Sequence, residues 1–292
     1  MTTMIMKRTI KSLKTPLRYP GGKSRAVVKL LQYLPDLSQV KEFREPFLGG
    51  GSVSLEITKR YPNIEIWVND LYEPLYNFWC ELQHNGKDLQ ERILALKDEY
   101  PDPPEGVQKY AAKKLFEDAK FLLNDQNQPA FDRAAYFYVV NKCSFSGLTE
   151  SSSFSKQASV QNFSASGIGR LEEYSELIQN WTITNLSYER MLCDEKNVFT
   201  YLDPPYDIKD NLYGKKGGMH KKFDHDDFAK QCDTFTSSML ISYNSSQLVK
   251  DRFKEWTAGE FAHTYTMRSV GCYNTDQASR KELVLTNYEV RS

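Results

Sequence analysis

Val40-Lys41-Glu42-Phe43-Arg44-Glu45-Pro46-Phe47-Leu48-Gly49-Gly50-Gly51-Ser52 is the stretch that decides the fold. Val40 to Arg44 has strand character, and Glu45 to Gly51 follows as a glycine-rich turn. Ser52 to Arg60 then reads as a short helix with Val53, Leu55 and Ile57 available to a sheet. Ile64-Glu65-Ile66-Trp67-Val68 alternates as the next strand and ends at Asn69-Asp70. Strand, glycine turn, helix, strand and acid, in that order, open a nucleotide-binding α/β sheet. Gly49, Gly50 and Gly51 let the backbone approach a ligand, and the helix behind them offers its N-terminus. Asp70 stands where a carboxylate can hold ribose hydroxyls. The full dinucleotide fingerprint is absent, because Ser54 occupies its third glycine position.

Working towards the C-terminus, alternating strands and helices resume at Trp181. Thr182-Ile183-Thr184, Val198 to Leu202, Met239 to Tyr243, Phe261 to Thr266 and Leu283 to Thr286 are strand candidates, with helices near 225–237 and 245–256. Between the two halves, Leu71 to Asn141 is mostly helical apart from Pro101-Asp102-Pro103-Pro104. Ser144 to Gly169 is rich in Ser, Gly and Asn and reads as loops or ribbons. A further helix is expected after Gly21-Gly22, through Val27, Leu30, Leu31 and Leu34, before Pro35 stops it. The expected organisation is one sheet domain built from 1–72 and 181–292, with an inserted helical and ribbon domain at 73–180.

Val198 to Leu202 delivers Asp203-Pro204-Pro205-Tyr206 to the carboxyl edge of the sheet, where open α/β folds place their ligand crevice. Two prolines stiffen this turn and bias Asp203 towards an extended conformation. An exocyclic amine has two protons to donate, and a carboxylate beside the Pro204 carbonyl offers two acceptors. Tyr206 adds an aromatic face for a base, worth about 1–3 kcal/mol per stacked base. The plainer alternative is a type I turn capped by an exposed tyrosine. Gly22-Lys23-Ser24 imitates the end of a phosphate-binding loop, but Leu17 replaces the required glycine and no buried strand precedes it.

Composition narrows the class of protein. With 38 basic and 38 acidic residues the net charge is zero, so bulk charge gives no sign of a polyanionic partner. The basic residues are nonetheless concentrated at the start, with no acid before Asp36. That block is either a solvated terminus or a phosphate contact. The cysteines Cys80, Cys143, Cys193, Cys232 and Cys272 are odd in number and unpaired in spacing, which argues against a disulfide framework or a zinc site. No apolar run approaches a membrane span or a secretion signal, so a cytoplasmic protein without a membrane partner is expected.

Four segments carry a resemblance to a known family. They are Leu17 to Lys23, Glu45 to Ser52, Asn69-Asp70 and Asp203 to Tyr206, and in that order the chain resembles the Dam-type adenine-N6 DNA methyltransferases. Asn141-Lys142-Cys143-Ser144-Phe145-Ser146-Gly147-Leu148 is similar to an element of that family's recognition domain, and Phe223-Asp224-His225 and Lys281 to Val284 are similar to stretches of phage and bacterial members. The resemblance implies a Rossmann-like α/β methyltransferase sheet with helices on both faces, carrying an inserted, mainly helical and β-ribbon DNA-recognition domain. It implies methyl transfer from S-adenosylmethionine to the amino group of a flipped adenine in double-stranded DNA, with Asp203, Pro204, Pro205 and Tyr206 at the chemistry and no metal. For the cofactor it implies Tyr19, Gly22, Lys23, Pro46, Phe47, Leu48, Gly49, Gly51, Ser52, Asp70, Tyr188 and Asp203. Ser187 stands where members often carry an acid.

Lys142, Ser144, Lys156, Gln157, Gln161, Asn162 and Arg170 are the candidates for reading DNA from the insert. Arg170 has an alternative role, solvating the start of an ordinary helix through Leu171, Tyr174, Leu177 and Ile178. The loop from Lys209 to Lys222 either closes over DNA or merely connects. His220 and His225 have no third ligand in sequence and suit a loop or cap better than a metal. A cognate restriction enzyme is a possible partner, or none in an orphan or phage enzyme, acting as a monomer or weak dimer on DNA. An idle DNA-binding relative and a dinucleotide oxidoreductase compete with this reading. Asp203 with Asp70 weighs against the first, and the Asp-Pro-Pro-Tyr turn and serine-rich insert against the second.

Overall fold

The computed structural model of the chain describes residues 13–19, 21–100, 111–147, 152–206, 223–262 and 281–290. The basic stretch before Leu13, Pro20, the proline cluster and the loop from Lys209 to Lys222 with its His220 lie outside them. After a 3₁₀ turn at Lys23–Arg25, α1 spans only Val27–Leu30, and a second 3₁₀ turn follows at Leu31–Tyr33. The helix expected here is thus broken into single turns. No side chain caps any of these pieces, and each is too short to hold itself together without tertiary contacts.

Then come β1 (Glu42–Glu45), α2 (Ser52–Arg60), β2 (Glu65–Asn69) and the long α3 (Glu73–Asp98), with Pro74 in its first turn. Four more helices of the described insert follow α4 (Ala111–Leu123): α5 (Ala130–Cys143), α6 (Lys156–Asn162), α7 (Ala165–Ile168) and α8 (Leu171–Leu177). The chain returns through β3 (Trp181–Thr184) and β4 (Val198–Leu202). It finishes with α9 (His225–Thr234), β5 (Ser238–Asn244), α10 (Gln247–Arg252), β6 (Thr257–Ala262) and β7 (Lys281–Thr286).

The seven strands form one sheet in the order β3-β2-β1-β4-β5-β7-β6. β1, β2, β3, β4 and β5 pair in parallel, whereas β7 runs antiparallel to both β5 and β6. β4 is buried at every residue, as a strand covered on both faces must be. The expected α/β sheet, mainly parallel and Rossmann-like, is therefore present. β1 and β4 are neighbours, with Glu42 opposite Val198 and Arg44 opposite Thr200. Here the strand order reverses direction, so the turns leaving β1 and β4 flank the crevice where such sheets bind ligands. The two motif-bearing turns are brought together by topology alone.

The 73–180 segment sits between β2 and β3, and its core is continuous with that of the sheet. Trp79 of α3 packs on Trp181 of β3 with ring centroids 5.7 Å apart, and Phe78 stacks on Tyr138 of α5 at 5.9 Å. α3 loses helical geometry at Asn85 (φ −129°, ψ 31°). The next residue, Gly86, lies so close to α8 that a Cβ there would be 2.2 Å from that of Ser175.

One local expectation is corrected. Across 144–169 the ribbon reduces, among the described residues, to a single antiparallel bridge between Ser144 and Phe154. α6 and α7 occupy most of the remainder. The serines that suggested loops are N-caps: Ser155 accepts from the amide of Ala158, and Ser164 from that of Gly167. Phe163 and Ile168, which lie in the stretch read as loops or ribbons, are buried.

Candidate active site

The turn after β1 folds back onto β2. Leu48 N donates to Asn69 O (2.9 Å), and Gly49 N donates to Asp70 Oδ2 (2.9 Å). Gly49 and Gly51 adopt positive φ, +49° and +66°. A Cβ at either would come within 2.9 Å of a ring, that of Tyr19 or of Trp79 respectively. Trp79 Nε1 also donates to Gly49 O (3.1 Å), so the turn is held from below by α3. Glycine is required here both by backbone conformation and by close packing.

These residues border an open cleft of about 600 Å³ lined by Tyr19, Gly22, Lys23, Glu45, Phe47, Leu48, Gly49, Gly50, Gly51, Ser52, Val53, Asp70, Asp203 and Pro205. Most of the sequence-predicted cofactor residues meet there. Pro46 is not on its wall; its carbonyl accepts from Asn69 Nδ2 (3.1 Å). Tyr188 is also absent from the wall and stacks behind Phe47, with centroids 5.5 Å apart, in an aromatic cluster with Phe223 and Phe228. Ser187 contacts Glu189 rather than the cleft.

The carboxylates of the cleft are individually constrained. Asp70 accepts from the Gly49 and Tyr72 amides, yet burial pushes its pKa up to about 6. Burial also pushes Asp203 up to about 6; Lys23 opposes that shift and Glu282 adds to it. The Asp203 carboxylate ends 2.8 Å from Lys23 Nζ and keeps about 20% of its side chain exposed, while lining the cleft. It is ion-paired without being withdrawn from the glycine turn. Lys23 is itself only 3% exposed. Burial works against its charge, but Asp203 and Glu282 more than compensate and hold its pKa above the usual lysine range.

Tyr206 is not the exposed platform expected from sequence. It is buried, its ring stacks on Tyr243 at 5.9 Å, and its hydroxyl lies 2.6 Å from both Lys23 Nζ and Glu282 Oε1. A phenol whose hydroxyl can both accept and donate satisfies a buried ammonium and a buried carboxylate at once. Pro204 is buried as well, whereas Pro205 reaches the cleft.

Two acids were missed as site residues. Glu45, at the end of β1, accepts from both the amide and the hydroxyl of Ser54, and burial pushes its pKa up to about 8. Glu282, on β7, is fully buried against Lys23, Tyr206 and Ser242. Its position within an apolar strand run was the available signal, since an unpaired acid does not survive there. Asn141 was quoted only within a motif. Its side chain bonds both the amide and the carbonyl of Arg18 (2.9 and 2.6 Å) and also Gly147 O, tying the N-terminal segment to the insert.

The DNA-reading candidates separate by exposure. Lys156, Gln157 and Gln161 are exposed on α6. Asn162 is half-buried and bonds Ala158 O, and Arg170 pairs with Glu173 at 3.4 Å at the start of α8. Lys142 is half-buried over the Tyr138 ring, with burial and then Arg18 lowering its pKa to about 8. Ser144 is buried and donates to Asn141 O, which leaves its hydroxyl no route to DNA in this conformation. His225 opens α9 and engages the Tyr243 hydroxyl.

Residues 19–267, spanning both motif turns and the insert, match the family model for the D12 class N6 adenine-specific DNA methyltransferases. The chain belongs to that family. It is 26% identical over 204 residues to the type II methyltransferase M.MjaIII of Methanocaldococcus jannaschii, covering 66% of this chain and 69% of that protein. It is 22% identical over 315 aligned positions to the modification methylase StsI of Streptococcus sanguinis, covering 97% of this chain but 44% of the relative. The chain therefore spans less than half the length of the second. Methylation of adenine at N6 in DNA is the activity of this family. Among the described residues no helix is long and apolar enough to cross a membrane.

Proposed function

We propose that this N6-adenine methyltransferase takes its methyl group from S-adenosylmethionine and delivers it, at a specific sequence in double-stranded DNA, to an adenine swung out of the helix. The observation that carries the proposal is the position of Asp203 on the wall of the glycine-turn cleft, which Asp70 also lines, and beside Lys23. The cleft fits this cofactor by its chemistry: backbone at Gly49 to Gly51 that tolerates close approach, a carboxylate at Asp70 for ribose hydroxyls, and acidic groups suited to a cation. When bound, the cofactor supplies an electrophilic methyl on a positively charged sulfur.

The residues of this chain then hold and orient the adenine. The Asp203 carboxylate and the Pro204 carbonyl accept the two amine hydrogens, which raises electron density on the nitrogen and holds it in line for displacement. The bound cofactor would give up its methyl to the amine nitrogen, with Asp203 and the Pro204 carbonyl holding that nitrogen in place. The surplus proton on nitrogen leaves through Asp203 to solvent. Lys23 keeps the carboxylate oriented. For Tyr206 to stack on the extruded ring its packing must open at the cleft side, because its present partner is Tyr243. Extrusion itself costs a few kcal/mol. The exposed α6 face supports the assignment of Lys156, Gln157 and Gln161 to DNA, with Lys142 and Arg170 beside them. Such an enzyme would work in the cytoplasm on the nucleoid, as a monomer or weak dimer, with or without a cognate restriction enzyme.

Methyl-labelled S-adenosylmethionine and DNA of mixed sequence test this reading. Label in DNA is expected with the wild-type chain and at least 10³-fold less with Asp203→Ala, whose cofactor affinity stays within a few-fold. Near-normal transfer by Asp203→Ala would refute the mechanism.

A further inference from the structure

We infer that Glu45 is a cofactor-binding residue, whose second carboxylate oxygen receives the ammonium group at the amino-acid end of the methyl donor. This inference rests on the cofactor proposed above. Glu45 ends β1, lines the cleft and is only 3% exposed. Its hydrogen bonds fall on one oxygen: the Ser54 amide donates to Oε2 at 3.0 Å, and the Ser54 hydroxyl donates to the same atom. Oε1 has no hydrogen-bond partner among the described residues, and it does not belong to the polar atoms sealed from solvent. A carboxylate withdrawn from water, with one oxygen pinned and the other unused on the wall of a cleft, calls for a donor from a ligand.

Strand order indicates which donor. The sheet runs β2-β1-β4, so Glu45 at the end of β1 stands between Asp70, which follows β2, and Asp203, which follows β4. All three line the cleft. Asp70 is assigned to ribose hydroxyls, and Asp203 to the target amine beside Lys23. The methyl donor carries two cationic groups, a sulfonium and an ammonium. The sulfonium must face the amine at Asp203, which leaves the ammonium for Glu45. Burial raises the Glu45 pKa to about 8 against the two Ser54 bonds; Asp203 adds to the shift and Lys23 opposes it. Glu45 is therefore mostly protonated at pH 7 before the ligand arrives. An ammonium set against Oε1 favours the ionised form, so binding releases a proton. If the ligand's carboxylate lay there instead, it would be held by the protonated form and release none.

Calorimetry at pH 7 in buffers of different ionisation enthalpy counts that proton. S-adenosylmethionine is compared with 5′-methylthioadenosine, which keeps the adenine and ribose but has no amino-acid end. Both are titrated into wild type and Glu45→Gln, with thermal melts to verify folding. Asp70, Asp203, Lys23, Glu282 and the Tyr201 phenol are the other ionisable groups around the cleft, and both proteins share them. On binding S-adenosylmethionine, wild type is expected to release at least about half a proton more than Glu45→Gln. The variant is expected to bind S-adenosylmethionine about tenfold more weakly, and 5′-methylthioadenosine within about twofold of wild type. Equal proton counts in the two proteins would overturn the inference. Equal weakening of both ligands would do so too, because Glu45 would then only shape the turn. Should Glu45→Gln not fold, wild type alone decides: S-adenosylmethionine releasing no more protons than 5′-methylthioadenosine would overturn it. If wild type binds neither ligand, the cofactor reading itself fails and takes this inference with it. S-adenosylmethionine bound equally well by both proteins would refute the role of Glu45 alone.

Discussion

At the scale of single residues, the site is dominated by acids buried for a purpose. Glu45 illustrates the energetics. Its pKa is raised by burial to about 8, so between its ordinary value and pH 8 the folded chain holds a proton that the unfolded chain has lost. A group raised in this way contributes stability at low pH, and that contribution drains away as pH climbs towards 8. Glu45→Gln, which can still accept from the Ser54 amide and hydroxyl, does not titrate. Its stability advantage over wild type is expected to grow between pH 5 and 8 by roughly 1.4 kcal/mol per pH unit at most, and to level off above. Thermal melts at pH 5, 7 and 9 check this, and a difference independent of pH would contradict it. Asp203 follows the same direction with a functional outcome. Because it must be ionised to accept amine hydrogens, kcat/KM for DNA is expected to fall as pH drops through about 6, its raised value. A pH–rate profile flat down to pH 5 would contradict that assignment.

At the scale of elements, the decisive object is the turn between β1 and α2. Gly51→Ala places a side chain at φ +66° and drives its Cβ to 2.9 Å from the Trp79 ring. The expected loss is about 1–3 kcal/mol of stability, with weaker cofactor binding, measured by denaturant melts and calorimetry. This element was legible in the sequence because glycine, strand alternation and helix start are local signals. α2 and β4 fall at their expected bounds, Ser52–Arg60 and Val198–Leu202. α6 and α7 were not legible. Serine marks turns and helix N-caps alike, and only the burial of Ala158, Phe163 and Ile168 distinguishes the two. Glu45 and Glu282 escaped for a related reason. An acid reads as surface until the groups that satisfy it, Ser54 in one case and Lys23 in the other, are brought in from elsewhere in the chain.

At the scale of the whole molecule, distant segments of the chain meet at one crevice. The N-terminal segment supplies Tyr19 and Lys23, and β1 and β4 supply the two turns, while Glu282 of β7 pairs with Lys23 from outside the cleft wall. Asn141 couples the first of these to the insert by holding the Arg18 peptide on both sides. Asn141→Ala leaves that peptide without its buried partner. The expected result is about 1–3 kcal/mol less stability together with weaker cofactor binding, although Asn141 does not line the cleft. Calorimetry on the folded variant checks it, and wild-type cofactor affinity would show that the insert does not support the N-terminal segment. The central claim is that this assembly methylates N6 of adenine through Asp203. It is tested most directly by digesting DNA exposed to the enzyme and S-adenosylmethionine and quantifying its methylated nucleosides by mass. The account requires N6-methyladenine from wild type and none above background from Asp203→Ala. N4-methylcytosine instead, or N6-methyladenine from both proteins, would contradict it.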